Sequence, residues 1–270
     1  MTRLSYILVD RPDSFGSFDN LADVLRRIKQ LGYDGVELNL IHPPGFDVDA
    51  LLHLAATLHL PVVSFLTGAN YFSEGLCLSS PDADVRQRAV ERLKWCAEIA
   101  ARFNAVVVIG QMQGFLSDEP NRAVAEARIE ECLKRVVEAA ETYGATLVME
   151  PVNHLQAGFN NGSSDVMALA ERIHSPSFKP MLDSFHMNIE ETSMTEPIYR
   201  VGSHLGHFHL CESNGSLLGS GHLDFRAIFE ALDSIAYDGY VSLKIYRQSW
   251  EAGAVNGIEH LRELRVLNAK

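Results

Sequence analysis

The sequence predicts a single closed (β/α)8 TIM-type barrel over residues 1–270, and three observations carry that reading. Eight short, apolar, β-branched runs alternate with longer segments of helical period. The repeating unit is about 30 residues, so eight units account for the chain as one barrel. The competing arrangement is an open doubly wound sheet, but no Gly-x-Gly-x-x-Gly follows the first run, where a dinucleotide-binding sheet carries its phosphate turn.

The strand runs are Ser5–Val9, Gly35–Leu40, Val62–Leu66, Ala105–Ile109, Thr146–Glu150, Pro180–Asp183, His207–Leu210 and Tyr240–Ile245. Near-continuous apolar character is expected of parallel strands covered on both faces. Between them Asn20–Gln30, Asp82–Phe103, Arg122–Tyr143, Ser164–Ile173 and Phe225–Ile235 place apolar residues three and four apart, with charge on the opposite face. Ser80-Pro81-Asp82 supplies a helix start, and Gly32 and Gly144 sit just past helix ends. No linker, solenoid-length repeat or low-complexity segment interrupts the series, so one domain is expected.

Composition narrows the function. The chain has 23 Lys and Arg against 35 Asp and Glu, a formal net charge of −12. Polyanions are held mainly by clustered basic residues, so nucleic acid and membrane surfaces are poor partners for this balance. The four cysteines, Cys77, Cys96, Cys132 and Cys211, are scattered without metal-binding spacing and read as reduced, mostly buried thiols. The apolar run near the N-terminus is too short for a secretory signal, and no uncharged stretch reaches the roughly 18 residues that span a bilayer. A cytoplasmic protein is expected.

In a barrel the active site lies at the C-terminal ends of the strands. There Glu150 and Asp183 end their runs and His209 and Lys244 stand one residue before the ends of theirs, the four spaced 33, 26 and 35 residues apart, each interval about one βα unit. Consecutive strand ends would therefore point these groups at one centre. Two carboxylates and an imidazole form an oxygen-rich set that suits a hard divalent cation, Mn2+, Mg2+ or Co2+, with Zn2+ also admitted. Such an ion would polarise a carbonyl or stabilise an enediolate. The plain alternative is that each residue only hydrogen-bonds a neighbouring strand or caps a helix.

Five segments together resemble the sugar phosphate isomerase/epimerase group of xylose-isomerase-like barrels, which includes ketose 3-epimerases of the tagatose and psicose type. They are Gly32–Leu38, Glu150–Asn153, Asp183–Met187, His207–His209 and Gly219–Phe225. The resemblance runs in order over nearly the whole chain. It implies that Glu150, Asp183 and His209 bind a divalent metal, that His186 contacts a sugar, and that Glu150 is a catalytic acid/base. It also implies a homo-oligomer, dimer or tetramer, by analogy alone.

The departures are as informative as the matches. The fourth ligand of the family is a Glu on strand 8, and Lys244 stands at its position. Several readings are open: Lys244 acts as the second catalytic acid/base with its pKa lowered by metal and burial; its ammonium replaces the metal's charge; the barrel binds without catalysis; or Glu212 or Glu251 supplies the missing carboxylate. Where the epimerases carry a substrate-binding Glu six residues after the strand-5 Glu, this chain has Gln156. The family's Arg after strand 7 is replaced by a loop with Ser213, Asn214 and several Gly and Ser, whose N–H groups could cradle a phosphate or close over a polyol. Asn153, His154 and Glu37 complete the candidate substrate-binding residues, and Tyr71, Phe72 and Trp250 are aromatic candidates at the mouth.

The expected function is an isomerase or epimerase of a small keto- or aldo-sugar, phosphorylated, acidic or neither. A lyase of the inosose-dehydratase kind shares the first proton abstraction, and a non-catalytic sugar-binding barrel is suggested by Lys244 alone. The apurinic-site endonucleases of the superfamily need more ligands and a basic groove, and the net charge of −12 and the single ligand set argue against that reading.

Overall fold

The computed structural model describes residues 3–42 and 44–266, leaving Met1, Thr2, Pro43 and the last four residues outside it. Eight strands pair in parallel in sequence order: β1 (Arg3–Leu8), β2 (Gly35–Asn39), β3 (Val62–Leu66), β4 (Val106–Ile109), β5 (Thr146–Met149), β6 (Phe178–Asp183), β7 (His207–Leu210) and β8 (Tyr240–Leu243). Arg3–Tyr6 of β1 pair with Tyr240–Leu243 of β8, which closes the barrel.

Around it lie α1 (Phe18–Leu31), α2 (Val48–Leu58), α3 (Ala69–Glu74), α4 (Ala83–Phe103), α5 (Arg122–Tyr143), α6 (Ser163–Ile173), α7 (Ser184–Glu190), α8 (Glu196–Val201), α9 (Phe225–Ser234) and α10 (Trp250–Glu263). Asp82 caps α4 by accepting from the Asp84 N–H, and Gly32 and Gly144 end α1 and α5 in the left-handed region. Among the described residues no helix is long and apolar enough to cross a membrane.

Four predicted strands run longer than the observed β2, β4, β5 and β8, and two of the overhangs carry site residues. Glu150 and Lys244 follow the last residues of β5 and β8, yet their N–H groups still donate to Ile109 and Leu210 carbonyls at 2.9 Å. They are tied to the ladder while their side chains serve the mouth. Helices α2 and α10 and the short α3, α7 and α8 escaped the periodicity reading. In α10 the reason is physical: Gly253 and Gly257 interrupt the apolar stripe because the helix lies against the barrel wall. A Cβ on Gly257 would come within 2.2 Å of Leu243 and 2.8 Å of the Tyr33 hydroxyl.

The main core fills the layer between sheet and helices. Inside the barrel the filling is divided. Val108, Val148 and Met181 pack with Leu66 and Val106 as a small apolar cluster on one side. On the other side Ser5, Glu37, Ser64, His207 and Ser242 are all buried and polar. A barrel normally stacks apolar layers, so this polar half sets the chemistry above it.

Candidate active site

The polar floor is organised by Glu37, fully buried on β2. Its Oε1 lies 2.6 Å from His207 Nε2 and accepts from Ser5 Oγ at 3.4 Å, while Oε2 lies 3.1 Å from His209 Nε2 and accepts from Ser64 Oγ at 2.5 Å. Ser242 Oγ reaches His207 Nε2 at 3.2 Å and Ser5 at closer range. His207 and His209 both face inward because side chains two apart on a strand share a face. Glu37, expected as a substrate contact, is instead placed beneath the pocket, where it orients His209. His209 then turns Nδ1 upward, 3.3 Å from Glu150 Oε1 and 3.6 Å from Asp183 Oδ2.

At that level three strand ends meet. Lys244 Nζ donates to Glu150 Oε1 at 3.1 Å and to Asp183 Oδ2 at 3.0 Å, with all three side chains buried. Asp183 pairs in register with His209, and its second oxygen, Oδ1, caps α7 by accepting from the Phe185 N–H at 2.8 Å. Glu150 Oε2 is turned toward Gly110, where a Cβ would stand 2.6 Å away, so the glycine leaves room for the carboxylate. The Tyr246 ring lies 5.4 Å from the ammonium.

His186, in the first turn of α7, is locked by the turn after β5. The Asn153 side-chain nitrogen lies 2.7 Å from His186 Nδ1 and the Asn153 backbone N–H lies 3.4 Å from it. Asn153 Oδ1 is fixed as an acceptor by the Leu155 N–H at 3.1 Å, so its NH2 faces the imidazole. His186 Nδ1 is therefore the acceptor and the proton resides on Nε2. That Nε2–H lies 3.7 Å from Glu150 Oε1 and 4.0 Å from Asp183 Oδ2. Among the described residues, His186 Nε2 and His209 Nδ1 are the buried side-chain atoms without a hydrogen bond, and both face this centre.

The electrostatics follow from burial and pairing. Burial pushes the Glu150 and Asp183 carboxyls up, but the Lys244 ammonium, then the imidazoles, outweigh it and hold Glu150 at about 2 and Asp183 well below the carboxylate range. Burial alone would lower Lys244, yet Asp183 and Glu150 raise it well above the ordinary lysine value. Two carboxylates at hydrogen-bond distance stabilise the ammonium, the opposite direction from the lowering that a metal and burial together would produce. Burial also disfavours charge on His209, but Glu37 first and the mouth carboxylates next raise it well above its usual value. On His186 burial prevails and the imidazole is lowered.

The other candidates have partners of their own. The His154 ring is exposed and pairs through Nδ1 with Glu190 at 2.6 Å. Gln156 is half-buried in the turn after Asn153. Ser213 and Asn214 are engaged within their own loop, Ser213 with Glu212 at 3.0 Å and Asn214 with the Ser220 carbonyl at 3.1 Å. Glu212 is the surprise of that loop: its carboxylate accepts from the N–H groups of Ser213, Gly219 and Leu223 at 2.8, 3.0 and 3.3 Å. The cradle expected for a phosphate is filled by the chain's own anion. Glu251 pairs with Arg27 on the surface, so neither Glu212 nor Glu251 replaces the absent strand-8 carboxylate.

Among the described residues two groups have ligand atoms close enough to hold an ion, Glu150–Asp183–His186 and Glu37–His207–His209, each within 4.8 Å. Donor type suits a hard cation, but Lys244 does not: it already holds the inward oxygens of Glu150 and Asp183. A divalent ion and the ammonium would compete for the same two inward oxygens, Glu150 Oε1 and Asp183 Oδ2, so the ion could bind them fully only by displacing Lys244 Nζ. With Lys244 in place, the residues do not fit the ion.

Residues 25–264 match the xylose isomerase-like TIM barrel family. The chain belongs to that family. Its relatives include the ketose 3-epimerase of Arthrobacter globiformis, 29% identical over 229 residues that cover 83% of this chain and 77% of that protein. The L-ribulose 3-epimerase of Mesorhizobium japonicum is 30% identical over 238 residues, covering 84% and 75%. Among solved structures, a D-allulose 3-epimerase from Methylomonas sp. superimposes with a TM-score of 0.84 at 21% identity, covering 97% of each chain. An L-ribulose 3-epimerase gives 0.80 at 25% identity, covering 100% of each. In this xylose isomerase-like barrel, sequence reasoning found the strand-end set but missed the floor of His207 and serines. The two-residue spacings His207-x-His209 and Ser242-x-Lys244 are the signal that locates it.

Proposed function

We propose that the chain is a sugar isomerase or epimerase that acts on a small ketose by moving the proton on the carbon next to the carbonyl. The observation that carries this reading is the buried Glu150 carboxylate held at a strand end beside the Lys244 ammonium, in a barrel whose matched relatives are ketose 3-epimerases. The filled loop around Glu212 favours an unphosphorylated sugar.

In this reading Glu150 accepts the α-proton, the C–H electron pair becomes the enediolate double bond, and the carbonyl pair moves onto oxygen. Lys244 meets that developing charge with an N–H. Glu150 is a weak base while Lys244 holds it; as the substrate oxygen takes over an N–H of the ammonium, the carboxylate recovers basicity. The Lys244 ammonium then returns a proton to carbon, and the proton held by Glu150 passes back to the amine across their 3.1 Å hydrogen bond, which closes the cycle; His186, with its proton fixed on the inward nitrogen by Asn153, donates to a substrate oxygen. The donor set would take Mn2+, Mg2+, Co2+ or Zn2+ only after Lys244 had left it, so no step is assigned to an ion.

The test is solvent deuterium entering the α-carbon, followed by NMR across ketotetroses, ketopentoses and ketohexoses, with and without added Mn2+. Exchange is expected with at least one sugar, and Glu150→Gln should lower it by about 10²- to 10⁴-fold. Absence of exchange with every sugar would overturn the reading, and an enone absorbance in its place would redirect it to dehydration.

A further inference from the structure

We infer that the ammonium of Lys244 stands in for the divalent cation at the barrel mouth, so that this protein works without a metal. The catalytic half of the statement rests on the sugar reading above; the half concerning metal binding does not.

Four observations converge on it. Each mouth carboxylate turns one oxygen to the centre, and Lys244 Nζ is hydrogen-bonded to both, at 3.1 and 3.0 Å. Asp183 Oδ1 is committed to the α7 cap and Glu150 Oε2 is turned aside toward Gly110, so as oriented each carboxylate offers the centre a single oxygen. His186 uses its lone pair on Asn153 and presents an N–H to the centre, which suits a substrate oxygen and excludes a metal. That leaves His209 Nδ1 as a single nitrogen donor. The second candidate group is closed from within, because both Glu37 oxygens lie against imidazole and serine donors.

An ammonium can do the part of the ion's work that this reaction needs. It neutralises an oxygen that gains an electron pair when Glu150 takes the α-proton, and no oxidation or reduction accompanies the step. Two of its N–H groups are placed by Glu150 and Asp183, so the charge is fixed before substrate arrives.

The experiment is elemental analysis of the purified protein, followed by Mn2+ titration read by electron paramagnetic resonance, on wild type, Lys244→Glu and Lys244→Ala. Wild type should carry far less than one ion per chain and bind no Mn2+ up to about 1 mM, a dissociation constant that corresponds to negligible affinity for a built site. Its deuterium exchange should be unchanged by EDTA. Lys244→Glu should bind one Mn2+ per chain at least about 100-fold more tightly than wild type, a gain of two decades in affinity. Lys244→Ala, which removes the charge without adding a ligand, should also bind more tightly and keeps the comparison if the Glu variant does not fold. A stoichiometric ion in wild type, micromolar Mn2+ binding by it, or exchange abolished by EDTA would each overturn the inference. If no sugar exchanges at all, the sugar reading fails while the Mn2+ titration still decides the question of the ion.

Discussion

Lys244 couples the chemistry of the mouth to the stability of the fold. In Lys244→Met two carboxylates would remain buried without their ammonium, a change expected to destabilise by about 3–5 kcal/mol at pH 7. The pH dependence has a definite sign. Glu150 falls from an ordinary 4.5 to about 2 in the folded chain, so its pairing stabilises fully above the unfolded value and is lost as pH drops through the folded one. Wild type should therefore lose this contribution between about pH 4.5 and pH 2. The variant, whose carboxylates protonate more readily, should differ from wild type most at pH 7 and progressively less toward pH 4. Urea unfolding at a series of pH values measures the gap; a gap that stays constant with pH would refute the argument. At this scale the sequence located Glu150, Asp183, His209 and Lys244 near the ends of four strands, because each stands at or one residue before the end of an apolar run. It could not tell that Asn153 fixes the proton of His186, or that Glu37 serves His209, since both are contacts between residues more than 30 positions apart.

The strands were legible as elements because burial on both faces writes them as apolar blocks, and Val62–Leu66 and His207–Leu210 fall where the runs do. Helix α10 was hidden by the two glycines that let it approach β8. Their role gives a prediction at this scale. Gly257→Val would push against Leu243 and the Tyr33 hydroxyl, whose own bond to the Ala254 carbonyl is 2.9 Å. Overpacking of this kind is expected to destabilise by about 1–3 kcal/mol, with Gly257→Ala milder than Gly257→Val. Thermal unfolding midpoints of the two variants check the order. The loop after β7 shows the opposite failure of sequence reading: its Gly and Ser suggested an open anion cradle, and only the geometry reveals that Glu212, adjacent in sequence, turns back and occupies the N–H groups.

For the whole molecule, closure of β8 onto β1 removes the free sheet edges and makes each strand depend on both neighbours. Trp95 lies on α4 and Trp250 opens α10, helices from opposite halves of the chain. Urea unfolding followed by the fluorescence of single-Trp variants at each site should give coincident midpoints, matching the far-ultraviolet circular dichroism. Separated midpoints would mean that the halves melt independently. The barrel itself was readable from period and spacing, whereas the asymmetry of its interior was not. Half apolar and half polar, that interior depends on which strands face one another, and residue order alone does not say so.

The codons for lysine and glutamate differ only in their first base. A chain that carries an amine at this strand tip is therefore the smallest heritable step from one that carries a ligand there, while the surrounding acids, imidazoles and capping bonds can stay as they are. Within one scaffold, dependence on a scarce nutrient ion can be gained or relinquished without rebuilding the pocket.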